Sequence, residues 1–208
     1  MPFRISSEEG EKLVTLVRRA VKKYITHGEI IKTPKKIPEK FLKFAGAFVT
    51  INKVSENQKT LRGCIGNPYP TNPLVKTLIR SAINASTQDY RFSPISLEEL
   101  EEVIFEISIL TEPKRINIEN PMDYPNKIQL GVHGLIVEKG HFRGLLLPQV
   151  PVEWKWNKED FLSQTCLKAG LPPDCWLLKE TKNGLQNISL FTERCGTKSR
   201  FSATTHIN

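Results

Sequence analysis

Apolar residues first recur at helical spacing near the N-terminus. Leu13, Leu16, Val17, Ala20, Val21 and Tyr24 fall on one face of a helix expected over 6–26. Ser6 and Glu9 form a capping box at its start, and His27-Gly28 ends it. Residues 29–44 lose that period, carry Pro34 and Pro38, and read as a surface connection. The pattern then becomes a strand over Gly46–Ile51, a polar turn over 52–59 and a returning strand over Leu61–Ile65. Asn72 and Pro73 start a second helix as cap and first-turn residue, with Leu74, Leu78, Ala82 and Ala85 on its apolar face. Ser96 and Glu99 cap a short third one. Val103–Leu110 is a strand, with Val103, Phe105, Ile107 and Ile109 on one side and Glu106 among the residues of the other.

Residues 111–127 are polar and hold three prolines, which marks an ordered excursion or a change of subdomain. Residues 132–137 and 141–147 form a hairpin about Gly140. Asn157 and Asp160 begin a helix whose face is Phe161, Leu162, Thr165, Cys166 and Ala169, stopped by Gly170. Extended pieces are expected at 176–179 and 188–191, and residues 196–208 read as a frayed tail.

Composition narrows the class. Of 208 residues, 39% are hydrophobic and 25% charged, which argues for a folded chain and against disorder. No apolar run reaches the roughly 18 residues of a membrane span, and the first residues lack a secretory apolar region, so the expected location is cytoplasmic. The net charge of +8 suits an anionic partner, RNA or a phosphorylated metabolite, without requiring one. Its one cluster is Lys32, Lys35, Lys36, Lys40 and Lys43, which could grip phosphates, with a solvated loop the favoured reading. Four cysteines at wide spacings form no Cys-x-x-Cys and meet no zinc-like histidine spacing, so no metal is expected. A reducing cytosol also argues against a structural disulfide. No phosphate-binding glycine loop, dinucleotide fingerprint or hydrolase elbow occurs, and no cofactor is expected.

Candidate chemistry centres on Leu61-Arg62-Gly63-Cys64-Ile65-Gly66. In an extended segment Arg62 and Cys64 share a face, roughly 7 Å apart, with Leu61, Gly63 and Ile65 on the other. A cation so placed favours a thiolate; the competing reading is a small buried hydrophobe in a core strand. Asp89 and Arg91 sit in the exit loop of the second helix, as functional groups or as an ion pair closing the turn. Glu106, in an apolar strand, needs a partner or water: it ion-pairs structurally or lines a polar cleft. His133 or His141 could serve Cys64 as a base, or be a neutral hydrogen-bonded histidine.

These segments, in this order, resemble the AMMECR domain family. The resemblance is carried by Gly46-Ala47-Phe48-Val49-Thr50, the Leu61–Gly66 segment, Asp89-Tyr90-Arg91-Phe92-Ser93-Pro94 and Glu106-Ile107-Ser108-Ile109-Leu110. It continues through Gly131-Val132-His133-Gly134-Leu135, Arg143-Gly144-Leu145-Leu146-Leu147-Pro148-Gln149-Val150 and Lys168-Ala169-Gly170-Leu171. It implies an α+β protein of a larger and a smaller subdomain with a cleft between them: one domain over 1–195, with the smaller part at about 110–150. Arg62, Cys64, Asp89, Arg91, Glu106, His133, Arg143 and Gln149 match its motif positions and become the candidates for that cleft. Members occur fused to or beside a Memo-like protein and a radical SAM enzyme, which makes those the candidate partner proteins and hints at a modification pathway acting on RNA or a metabolite. No settled reaction comes with the resemblance. The expected function is a cleft protein whose Cys64 and Arg62 act on an anionic substrate; the alternatives are a non-catalytic RNA-binding module or a scaffold for a partner enzyme.

Overall fold

The structure, a computed structural model, describes residues 5–55, 58–178 and 186–199. It is an α+β protein that divides into two compact units, Met1–Leu110 with Arg194–Asn208, and Thr111–Glu193. The second unit begins where the polar excursion was expected and continues well beyond residue 150.

In the first unit, helix α1 (Ser7–His27) carries the capping box in full: the Ser6 hydroxyl accepts from the Glu9 N–H, and the Glu9 carboxylate accepts from the Ser6 N–H. Strands β1 (Gly46–Ser55) and β2 (Gln58–Asn67) form an antiparallel hairpin; the turn at 56–57 lies outside the described residues. Helix α2 (Leu74–Thr87) has Pro73, not Asn72, at its N-cap, and no side chain caps it. Asn72 is occupied elsewhere, donating from its amide to the Thr71 hydroxyl. Strand β3 (Val103–Leu110) completes the antiparallel order β2-β1-β3. The alternation expected of β3 is observed. Val103, Phe105, Ile107 and Ile109 join Val49 and Ile51 of β1 under α1 and α2 in one buried core. A second cluster, including Leu16, Val75 and Ile79, joins the two helices to each other.

The second unit contains β4 (Lys114–Arg115), α3 (Tyr124–Lys127), β5 (His133–Lys139), β6 (Phe142–Leu146), α4 (Gln149–Glu153), α5 (Lys158–Lys168) and the first part of β7 (Gln186–Ser199). Its antiparallel strand order is β4-β7-β5-β6. Asn157 and Asp160 close a second capping box at the start of α5, whose Phe161, Leu162, Thr165 and Cys166 are buried. The piece expected as extended over 176–179 starts in a 3-10 turn instead, Cys175–Leu177, and residue 179 lies outside the described residues. Residues 196–199 belong to β7 rather than to a frayed tail; 200–208 lie outside the described residues.

One expectation is overturned outright. Cys166 and Cys175 form a disulfide, their Cα atoms 6.2 Å apart. Their spacing matches no motif. The turn through Pro172 and Pro173 reverses the chain after α5 and returns Cys175 to the helix face that Cys166 already occupies.

Candidate functional site

The face of β1 turned away from the helices carries Phe48, Thr50 and Asn52, since Val49 and Ile51 fill the core. Register places Cys64 of β2 opposite Thr50 on one side and Glu106 of β3 opposite Thr50 on the other. Cys64, Thr50 and Glu106 therefore form one row across the sheet. The Thr50 hydroxyl and the Cys64 sulfur are 3.3 Å apart and share a hydrogen bond. Glu106 meets its need for a partner with a lysine, accepting from Lys59 Nζ at 2.7 Å.

Strand β2 is an outer strand, so the Cys64 backbone on that side has no neighbouring strand. The loop after α2 supplies a substitute. One carboxylate oxygen of Asp89 accepts from the Cys64 N–H at 2.9 Å, and Arg91 Nη2 reaches the Cys64 carbonyl at 3.4 Å. Arg91 also grips Asp89 through Nε at 2.9 Å and Nη2 at 2.6 Å. Asp89 and Arg91 thus pair with Cys64 much as a strand would, leaving Thr50 and Cys64 as a non-hydrogen-bonded pair with closely apposed side chains. Asp89 is 3% exposed. The Arg91 hydrogen bond, helped by the Cys64 and Arg91 N–H groups, outweighs burial and holds its pKa down at about 2.

Arg62 departs from the expected geometry. Ile51 pairs with Gly63 and Asn52 with Leu61, so Arg62 is the extra residue of a β-bulge. The bulge moves Leu61 to the face that carries Cys64 and frees Arg62 to reach Glu99 instead. Arg62 donates to both Glu99 oxygens, through Nε at 2.5 Å and Nη2 at 2.9 Å. Its charge is answered by a carboxylate rather than left beside the thiol. The guanidinium carbons of Arg62 and Arg91 lie 5.8 and 5.4 Å from the centre of the Phe92 ring.

Gly63 fixes this strand against its helix. A Cβ there would run into the backbone carbonyl of Ala85, in the last turn of α2. The close approach sets the helix end beside β2 and delivers Asp89 to Cys64.

The remaining candidates belong to the second unit. His133 opens β5, and its Nδ1 accepts the Gln129 N–H at 3.1 Å. Arg143 lies opposite Glu138 across the β5–β6 hairpin and pairs with it. Gln149 is exposed at the start of α4. The first unit alone therefore gathers Arg62, Cys64, Asp89, Arg91 and Glu106.

The AMMECR1 family profile matches residues 14–185. The chain belongs to the AMMECR1 family. It is 51% identical over 192 residues to a protein of Thermococcus gammatolerans, covering 92% of this chain and 93% of that one. A protein of Pyrococcus furiosus is likewise 51% identical over 192 residues, covering 92% and 91%. The crystal structure of an uncharacterised protein from Pyrococcus horikoshii superposes with a TM-score of 0.82 at 47% identity, covering 91% of each chain.

Within this AMMECR1 chain, three site residues escaped the sequence reading. Thr50 stands out only as the last residue of a family-matching strand segment, Lys59 as part of a polar turn, and Glu99 as half of a helix cap. The Glu99 N–H does donate to the Ser96 hydroxyl, but the Glu99 carboxylate serves Arg62.

Proposed function

We propose that the Cys64 face is an enzyme-like site in which the thiol reacts with, or accepts a group from, a small anionic substrate. The observation that carries this is the placement of the thiol. Cys64 is held through its N–H, its carbonyl and its sulfur, yet the residue stays partly exposed and its thiol is free. A cysteine that served only to pack would bury its sulfur. Arg62 and Arg91 each commit Nε and Nη2 to a carboxylate, which leaves their Nη1 groups, both belonging to guanidiniums within 6 Å of the Phe92 ring, for an oxyanion. In this reading Arg62 positions and binds; it does not activate the sulfur. Among the described residues, no helix is long and apolar enough to cross a membrane, so nothing there ties the site to a bilayer.

Paired alkylation tests the proposal. Cys64 is followed by mass spectrometry with limiting iodoacetamide and, separately, limiting iodoacetate. The expectation is faster reaction than an exposed model thiol, with a preference for the anionic reagent that Arg91→Gln removes. Equal or slower reaction with both reagents would sink the thiol chemistry. Faster reaction without anion preference would remove the anionic substrate alone.

A further inference from the structure

A cavity lies in the first unit, between α1 and residues 34–41, and none of its lining residues belongs to the Cys64 site. Its volume is about 220 Å³. Leu13, Leu16 and Phe41 form its buried floor, and Pro34, Ile37 and Pro38 form a wall. The two prolines restrict that wall, so the cavity needs little ordering before it is filled. Its rim is basic. Lys12 and Arg19 stand two helical turns apart on α1, about 10 Å along the axis, and Lys36 faces them from the connection. Lys12 is matched by Glu8 at 2.6 Å, whereas Arg19 and Lys36 have no acidic partner among the described residues. Residues 29–44 carry five lysines against two glutamates. Glu29 is turned toward Lys23, and Lys40 is taken by Glu9.

The occupant follows from size and charge. The cavity falls below the roughly 300–1,000 Å³ of sites that enclose a whole small molecule. It suits one bulky side chain, the way an anchor residue of a partner is received. Uncompensated cations around an apolar floor select an anchor flanked by carboxylates. We infer that this cavity is a docking site for an acidic segment of a partner protein, which inserts a large apolar side chain between Arg19 and Lys36. The inference does not depend on Cys64.

The test pans a random-peptide phage library against the full chain. Three exposed residues are then changed: Arg19→Glu with Lys36→Glu in one variant, and Thr15→Phe, at the cavity edge, in another. Circular dichroism checks that both variants keep the fold. The expected peptides place a bulky apolar residue among aspartates or glutamates. Their affinity should fall about tenfold or more in either variant, by lost charge in the first and by a filled cavity in the second. No enrichment, enrichment of basic or uncharged sequences, or peptides that bind all three proteins alike would overturn the inference. Oligouridylate binding more tightly than every selected peptide, and lost with the charge reversals, would also overturn it and give the patch to RNA.

Discussion

The two units use the same contact and lock it differently. In each, an outer strand carries a glycine beneath the last turn of a helix: Gly63 under Ala85 of α2, and Gly144 under Thr165 and Ala169 at the end of α5. A Cβ at Gly144 would stand 2.5 Å from the Ala169 nitrogen and 2.6 Å from the Thr165 oxygen. Beyond the glycine the solutions diverge. In the second unit Cys166 bonds to Cys175, and both are buried. In the first unit the chain after the helix returns Asp89 and Arg91 to the backbone of Cys64, and the cysteine itself stays free. A covalent lock consumes its sulfurs. A lock of charges and hydrogen bonds holds the residue and leaves the thiol available, at the cost of depending on protonation.

The largest expected effect breaks the shared contact. Gly63→Ala and Gly144→Ala should each cost about 3 kcal/mol or prevent folding, because backbone must move to admit the methyl group. Urea unfolding measures this. Measured against the parent protein in the same reductant, the penalty of Gly144→Ala should shrink, because the end of α5 is freer to shift, while that of Gly63→Ala should stay the same. Equal relief in both would deny that the two locks differ.

Next comes the covalent lock. The disulfide spans a sequence separation of nine. Replacing both cysteines, Cys166→Ala with Cys175→Ala, should lower stability by about 3 kcal/mol while leaving the alkylation rate of Cys64 as it was. A changed rate would couple the two cysteine sites.

The ionic lock should give the smallest loss, and the only one that depends on acid. The folded Asp89 carboxyl titrates at about 2 against an ordinary 3.8. Its contribution is complete above the ordinary value and disappears as the pH falls from about 4 toward 2. Asp89→Asn should therefore cost about 2 kcal/mol at neutral pH and flatten the stability profile across that window. An unaltered profile would show that the charge on Asp89 adds nothing.

Much of the scaffold was legible because it is local. The Ser6–Glu9 box, the alternation of Val103–Leu110 and the β5–β6 hairpin are written within a few residues of one another, and each is observed. The Asp89–Arg91 pair, two residues apart, was legible for the same reason. The partner of Arg62 was not. Glu99 lies 37 residues away, and what aims Arg62 at it is a bulge, a one-residue offset between two strands that neither strand shows alone. The disulfide was hidden by an assumption about compartment, although the helix face that carries Cys166 was expected and Cys175 follows only nine residues later.

The loop after α2 has one further consequence, for how copies of the protein behave at high concentration. The rim of a sheet is a template on which another chain can extend the ladder, and soluble proteins must guard it against polymerisation. By occupying the N–H and carbonyl of Cys64, Asp89 and Arg91 interrupt that template midway along β2. The two side chains that hold Cys64 in place therefore also take up, at that point of the rim, the backbone groups an incoming strand would need.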